Sequence, residues 1–394
     1  MEEIVIISNY YPPEKGAASN RIEQLALKLK ENNYKVIVIC PLGNYPKGAL
    51  FPEYKGRFIV TENRANITIK RLWIYPSISK NLFVRLLSVL SFSGCLFFYL
   101  LLKKTPQKVV VQSPPLLLSF ISVLVLSLKK KKIILNVSDL WPLAAIELNA
   151  LKKGSISHKF SLFFERFIYK KSTLILGQSE EIIKHIHSIL PRKECYLYRN
   201  YPDHKLKNLE IKTFKAPTIK IFYAGLLGIA QGVLELCKKI SIDNLNIELH
   251  LFGDGAEKIQ IMEFIASKKT TSIFFYGMLD RDQLHEKLQS FDIAIVPLKT
   301  RIFGSVPSKI FEYTALGFPI LYFGGGEGGT VVLESNLGWV AEVGDYEALN
   351  QKLIEISAID KLELDAIKKL VFETSKNKFN LNEQVQSLLE KNVF

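Results

Sequence analysis

The chain has 394 residues, 48% of them hydrophobic and 23% charged, a globular composition that excludes a disordered or fibrous protein and suits two domains of about 200 residues. Cys40, Cys95, Cys195 and Cys237 are scattered with no CxxC pair, which argues against a disulfide scaffold or a zinc site and for a reducing compartment. The net charge of +14 is uneven, with 30 Lys+Arg against 13 Asp+Glu in residues 1–200 and 22 against 25 in residues 201–394.

Met1-Glu2-Glu3 is acidic where a signal peptide carries base, so the apolar residues that follow read as a first strand, at 4–7, and not as an export signal. A loop at 8–16 leads to a helix at 18–32 with Ile22, Leu25 and Leu29 on one face, then a strand at 36–40. The loop holds Tyr11-Pro12-Pro13 and Gly16 but no GxGxxG fingerprint. Gly16 would admit a ligand close to the backbone, and the helix after it aims N–H groups at an anion. The alternative is a proline pair that merely ends the strand.

Strands are predicted at 67–71, 109–112, 133–137 and 173–176, with a long helix at 157–169. Between Glu62 and Asp139 lie 76 residues with twelve Lys or Arg and no acid, a field that attracts phosphate, in nucleic acid or lipid head groups. Residues 86–102 form an uncharged apolar run closed by Lys103-Lys104, and residues 116–128 a second run closed by Lys129 to Lys132. Nucleic-acid surfaces do not carry such Leu/Phe/Val blocks, whereas lysines beside apolar segments suit an anionic cytoplasmic leaflet. The runs are short for crossing a bilayer, and burial in the core explains either alone. Attachment to one leaflet explains both runs and their lysines, with Arg85, Phe97, Phe98, Lys103, Lys104, Lys129 and Lys130 as membrane contacts. His185 and His187 diverge on a helix and read as solvated surface residues.

Residues 200–218 read as a connector, after which strands recur at 219–223, 247–252, 273–276, 293–296 and 320–323, with a helix at 233–240 and a helical tail at 380–393. The pattern is that of two doubly wound α/β domains in series. Ligands of such sheets bind beyond the carboxyl ends of the strands, and the loops there share small residues: Gly225, Gly228 and Gly232; Gly253-Asp254-Gly255; Gly277-Met278-Leu279; and Ser305-Val306-Pro307-Ser308-Lys309 opening a helix. A helix N-terminus with Ser308 and Lys309 is a phosphate cradle, and Glu312 is placed to accept hydrogen bonds from vicinal hydroxyls. The glycine tract 324–329 reads as mobile, with Glu327 touching sugar hydroxyls or as a permissive turn. Asp139 orients or deprotonates an acceptor, or caps a helix. No DxD sequence and no metal-ligand spacing occurs.

The chain resembles the family 4 glycosyltransferases of the GT-B fold, in the subgroup that builds O-antigen, capsule and exopolysaccharide on lipid carriers. The residues that carry the resemblance are Tyr11-Pro12-Pro13 with Gly16 and Asn20-Arg21, Asn136-Val137-Ser138-Asp139-Leu140-Trp141-Pro142, Gly253-Asp254-Gly255, and Pro307-Ser308-Lys309-Ile310-Phe311-Glu312-Tyr313 with Ala315-Leu316-Gly317. It implies two Rossmann-like domains facing a cleft: 1–203 for acceptor and membrane, 204–378 for the nucleotide-sugar, and a helix at 379–394 packing back toward the first. It also implies a retaining, metal-independent transfer, with no cofactor, of an N-acetylated hexosamine or deoxyhexosamine from a UDP-sugar to a polyprenyl-diphosphate-linked saccharide. The location implied is the cytoplasmic membrane face, peripheral or monotopic, with no nucleic-acid partner.

By the same resemblance the donor contacts are Gly16, Gly225, Gln231, Gly253, Asp254, Gly255, Met278, Leu279, Val306, Pro307, Ser308, Lys309 and Glu312. The acceptor contacts are Asn20, Arg21 and Asp139, and the catalytic pair is Asp139 and Lys309. Two positions depart from the family pattern: Gly304 stands for the first of its paired glutamates, and Gln231 for a basic residue. Lys309, Arg301 or Lys299 is then the candidate for stabilising the leaving group. The rival readings are a GT-B sugar-nucleotide epimerase and a catalytically silent assembly partner.

Overall fold

The structure, a computed structural model, describes every residue except 15, 46–47, 78, 80, 148–149, 204–217 and 269, and leaves undescribed the side chains of residues 82, 281 and 282. The expected connector at 200–218 therefore lies mostly outside the described residues. The chain divides into two compact units, one comprising Met1–Asn200 with Asn382–Phe394, the other Tyr201–Leu381.

The first unit is built on an eight-stranded sheet in the order β3-β4-β2-β1-β5-β6-β7-β8. Its strands are β1 (Glu2–Ile7), β2 (Tyr34–Pro41), β3 (Ile59–Arg64), β4 (Ile67–Leu72), β5 (Lys108–Ser113), β6 (Lys132–Val137), β7 (Leu174–Gly177) and β8 (Cys195–Leu197). Its helices are α1 (Ala17–Glu31), α2 (Leu82–Leu102), α3 (Leu116–Leu128), α4 (Leu143–Glu147), α5 (Ile156–Lys171) and α6 (Glu180–Ile189). Only β3 runs antiparallel to its neighbour. Val109, Val110 and Val111 of β5, and Ile133, Ile134 and Leu135 of β6, are all buried, the continuous apolar run of strands covered on both faces. Residues 382–394 complete this unit: Lys108 Nζ donates to the Phe394 carbonyl at 2.8 Å and Lys132 Nζ to that of Asn392 at 2.7 Å.

The second unit has a six-stranded parallel sheet in the order β11-β10-β9-β12-β13-β14. The strands are β9 (Ile219–Leu226), β10 (Ile247–Asp254), β11 (Ile273–Gly277), β12 (Ile293–Pro297), β13 (Ile320–Phe323) and β14 (Gly338–Ala341). The helices are α7 (Val233–Lys239), α8 (Lys258–Lys268), α9 (Arg281–Leu288), α10 (Ser308–Ala315), α11 (Glu327–Glu334), α12 (Tyr346–Ser357) and α13 (Lys361–Lys378), and α14 (Leu381–Glu390) then enters the closing segment of the first unit. Strands β3, β8 and β14 escape the sequence reading because each is an edge strand and needs little apolar patterning.

The two apolar runs have different fates. α3 buries Leu116, Leu118, Val123, Val125 and Leu126, so the expectation that it meets a membrane is corrected: it links adjacent central strands and is flanked by α2 and α5. Its buried serines are satisfied by backbone carbonyls, Ser119 Oγ by those of Pro115 and Gln112, both at 3.0 Å, and Ser122 Oγ by that of Leu118 at 2.7 Å. Lys129 is likewise not a free membrane charge. Its ammonium closes the end of α2, donating to the carbonyls of Leu101 at 3.0 Å and Lys103 at 3.1 Å, which satisfies acceptors a helix end leaves open. The basic window also hides one cation: Arg71 is fully buried, held by Glu62 and the carbonyls of Pro12 and Pro41.

β9 and β10 stay paired to their last residues, Gly253 opposite Gly225 and Asp254 opposite Leu226, so these positions are strand where the sequence suggests loop. A Cβ on Gly253 would lie 1.8 Å from the Gly225 carbonyl oxygen. Gly253→Ala is expected to lower unfolding free energy by about 3 kcal/mol, the upper range for overpacking, whereas Gly277→Ala, whose Cβ meets nothing within 4 Å, should cost only the about 1 kcal/mol of a positive φ. Urea denaturation of the two variants checks the contrast.

Candidate functional site

In the second unit the strand order reverses between β9 and β12, the point at which open α/β sheets bind ligands. The loops leaving these strands are tied together: Lys299 N donates to Ala230 O at 2.9 Å, and Gly232, with φ +64, passes so close that its Cβ would sit 3.0 Å from that of Lys299. From the far side α10 begins after Pro307, and its first amides have no intrahelical acceptor.

Lys309 extends from this first turn over the end of β9. A Cβ on Gly225 would lie 2.8 Å from Lys309 Cε, so a bare backbone at residue 225 makes room for the lysine. Its ammonium donates to the Tyr313 hydroxyl at 3.0 Å, and that hydroxyl donates to Ala224 O at 2.6 Å. Burial alone would push the ammonium pKa down, but Tyr313 and Glu312 outweigh it and the group lies above its ordinary value. Glu312 is half-buried and has no hydrogen-bond partner among the described residues, leaving its carboxylate open. The other two cations proposed for this site are engaged elsewhere. Lys299 pairs with Glu235 at 3.3 Å, and Arg301 lies against Gly325 and Gly326 and over the Phe303 ring.

The two departures acquire structural form. Gly304 is buried with φ +83, a conformation that a glutamate would adopt only under strain. Gln231 keeps its Oε1 buried without a partner among the described residues, and a rotated amide would present its NH2 as a donor there. The tract 324–329 is packed and not a slack turn. A Cβ on Gly328 would meet Tyr322 Oη at 2.6 Å, Tyr322 donates to Gly325 O at 3.1 Å, and α11 starts at buried Glu327. Asp254 is exposed, paired with Lys258 at 3.5 Å, and the glycines around it are explained by backbone contact: a Cβ on Gly255 would be 2.5 Å from Leu227 O. Val306 is buried, and exposed Met278 and half-buried Leu279 follow β11, two strands from β9 and hence about 10 Å across the sheet.

In the first unit the ends of β5 to β8 carry a buried polar network. Arg21 donates to Asn136 Oδ1 at 2.7 Å and to Tyr198 O at 2.8 Å, and also to Asn200 and Gln178. Asn136 Nδ2 donates to Gln112 Oε1 at 2.7 Å, and Gln112 Nε2 to Ser138 Oγ at 3.0 Å. Arg21 is only 3% exposed, so the expected acceptor contact is corrected: both terminal nitrogens of its guanidinium join strand ends, and its Nε is buried without a partner among the described residues. Burial draws its pKa down to about 10, opposed by Tyr198 and Asp139. Gln112, Gln178, Tyr198 and Asn200 went unnoticed in the sequence. The available signal was a polar residue directly after an apolar strand run, as in Val-Val-Val-Gln112 and Ile-Ile-Leu-Asn136.

Asp139 sits beside this network, accepting from Ser138 Oγ at 3.2 Å. It does not cap α4, which begins at Leu143. Burial pushes its carboxyl up to about 6, with Ser138 and Arg21 opposing. Asn20 and Gly16 are exposed at the start of α1, and Gly16, with φ +144, is its N-cap. A carboxylate missed in the sequence, Glu14, fixes the preceding loop by accepting from Asn44 N at 2.9 Å and Tyr45 N at 3.0 Å. His185 and His187 are not simply solvated: His185 Nε2 lies 2.8 Å from Glu165 Oε1, and His187 Nε2 lies 2.9 Å from Lys193 O. Among the described residues no group of three His, Cys, Asp or Glu is placed to hold a metal.

Because the Asp139 pKa rises from 3.8 to about 6 on folding, the folded chain retains this proton longer, and stability is lost as pH climbs through that window. Asp139→Asn should therefore be more stable than the parent by up to about 3 kcal/mol above neutral pH, with the difference vanishing below pH 4. Denaturant midpoints across pH read this directly.

Residues 205–370 match the family model described as glycosyl transferases group 1. The chain is 24% identical over 262 residues to the probable glycosyltransferase WbjE of Pseudomonas aeruginosa, a match spanning 63% of this chain and 65% of that relative's length. Sucrose-phosphate synthase of Thermosynechococcus elongatus superposes with a TM-score of 0.74 at 14% identity, over 100% of this chain and 99% of that one. An E. coli trehalose-6-phosphate structure bound with UDP-2-fluoro glucose gives 0.73 at 13% identity, over 99% and 98%. The chain is thus a GT-B-fold protein, similar over residues 205–370 to the glycosyl transferases group 1.

Proposed function

We propose that the chain is a retaining, metal-independent glycosyltransferase that moves a sugar from a UDP-sugar to a polyprenyl-diphosphate-linked saccharide in surface-polysaccharide synthesis. The observation that carries the reading is the seat of Lys309: a protonated, half-buried ammonium on the bare backbone of Gly225, at the N-terminus of α10. The binding of UDP-2-fluoro glucose by the E. coli relative supports the donor class.

When the bond between the anomeric carbon and the phosphate oxygen breaks, negative charge grows on the departing diphosphate. Lys309 and the open amides of Ser308 and Lys309 are fixed donors for that charge. The acceptor hydroxyl forms the new bond to the same carbon, and its proton leaves with the diphosphate. Glu312 accepts hydrogen bonds from the ribose hydroxyls, and Gly277 to Leu279 present backbone groups to the base. Tyr313 is a positioning residue, since its hydroxyl fixes where the Lys309 ammonium points. Asp139 orients the acceptor, and exposed Asn20 on α1 takes the role given up by Arg21. The transferred sugar is an N-acetylated hexosamine or a deoxyhexosamine.

The test is a turnover screen of UDP-, GDP- and dTDP-sugars with and without a lipid-diphosphate saccharide, in the presence of chelator. UDP release that requires acceptor is the expected result. An isomerised sugar nucleotide would point to an epimerase instead, and no nucleotide binding at all to a silent partner. Lys309→Met should lower kcat on the order of 100-fold or more with little change in donor KM. Tyr313→Phe should lower kcat about tenfold, and Glu312→Gln should chiefly raise donor KM.

A further inference from the structure

α2 has two unlike faces. Phe92, Leu96 and Leu100, at 0–1% exposure, face inward, while Phe83, Leu87, Leu90, Phe98 and Leu102 are 46–82% exposed along its length. α5 is also two-faced. Its Phe164 stacks on Phe120 of α3 at a ring separation of 4.3 Å and Phe167 meets the same ring tilted at 5.0 Å, yet Ile156, Phe160 and Phe163 are 58–74% exposed. Both helices pack on α3, so the two apolar faces belong to one layer of the first unit.

The charge on that layer has a single sign. α2, α3 and α5 contain one acid among them, Glu165, which is 2% exposed and turned to His185 and Tyr169. Arg85, Lys103 and Lys104 are exposed at the ends of α2, and Lys159, Arg166 and Lys170 along α5. Exposed Phe and Leu on helices whose exposed charges are all cations complement an anionic lipid surface, where apolar insertion and head-group attraction act together.

We propose that α2 and α5 form a two-helix face that lies flat on an anionic bilayer, with α2 parallel to the membrane plane. The segment Phe83–Leu102 is long and apolar enough to cross, but it is held in the unit. Its inner face is buried, Ser91 Oγ accepts from Tyr75 N at 2.8 Å, and Lys129 grips its last carbonyls. Crossing would strip α2 from α3 and open the core. α5, which no long apolar run marks in the sequence, supplies the second contact. The proposal concerns the first unit alone and does not depend on the sugar chemistry.

Flotation of the full chain with vesicles tests it. Phosphatidylcholine vesicles containing phosphatidylglycerol should bind the protein, and pure phosphatidylcholine or high salt should weaken binding about tenfold or more. Phe160→Asp with Phe163→Asp on α5 should weaken it about as much as Phe83→Asp with Leu87→Asp on α2. Both pairs are exposed, so an unchanged Tm separates lost docking from lost folding. Parental binding by the α5 variant would overturn the two-helix face, and resistance to an alkaline carbonate wash would overturn the flat orientation. Indifference to all vesicles, or a lipid-free dimer dissolved by the same substitutions, would overturn the membrane as occupant. The thermal shift given by UDP on the same samples reports separately on the nucleotide reading.

Discussion

Lys309 reaches the end of β9 only because residue 225 has no side chain, and β9 and β10 close at that level only because residue 253 has none either. The two glycines therefore do different work within one contact. Gly253 lets two backbones touch, which fixes the height of the sheet edge. Gly225 leaves a hollow at that edge into which a cation from another element fits. Tyr313 then removes the remaining freedom, because its hydroxyl is already committed to the Ala224 carbonyl and offers Lys309 one direction of approach. A charge held this way needs little reorganisation when an anion forms beside it.

The first unit solves a different electrostatic problem. A guanidinium buried as deeply as that of Arg21 requires a ring of acceptors in a region of low dielectric. The amide side chains of Asn136 and Gln178 at the ends of β6 and β7, with the Tyr198 carbonyl and the Asn200 side chain after β8, provide acceptors for its two terminal nitrogens, and Gln112 at the end of β5 holds Asn136 in place. The strand ends are thereby held by polar bonds where apolar packing gives out, and Asp139 is left as a desolvated carboxyl at the margin of the network. Its raised pKa follows from its place beside that network.

The α/β class and most strand positions were legible because buried parallel strands write themselves as short β-branched runs between turns. The α10 site was legible for a similar reason: Pro307, Ser308, Lys309 and Glu312 are local, lying within a turn and a half of one helix. What could not be read was decided by distant partners. Runs 86–102 and 116–128 look alike on paper, and only the neighbours of α3 put it inside. Arg71 counts as surface charge in any window of sequence, yet its partners come from residues 12, 41 and 62. Arg21 looks like a ligand contact until Asn136 and Tyr198 are brought to it. The exposed phenylalanines of α5 are hidden in an ordinary amphipathic pattern, since periodicity gives a helix two faces without saying which one is covered.

The closing segment bears on how the chain is made. Val385, Leu388, Val393 and Phe394 of this segment are buried, it belongs to the first unit, and its Gln384 exchanges hydrogen bonds with the backbone of Arg199. During vectorial synthesis the sheet formed by residues 1–200 leaves the ribosome early, yet it lacks this cover until the whole second unit has been translated. For that interval the nascent domain exposes apolar surface and leaves Lys108 and Lys132 without their carbonyl acceptors. The unit that starts first is thus the one that finishes last, and the intervening domain is free to fold while its host is still open.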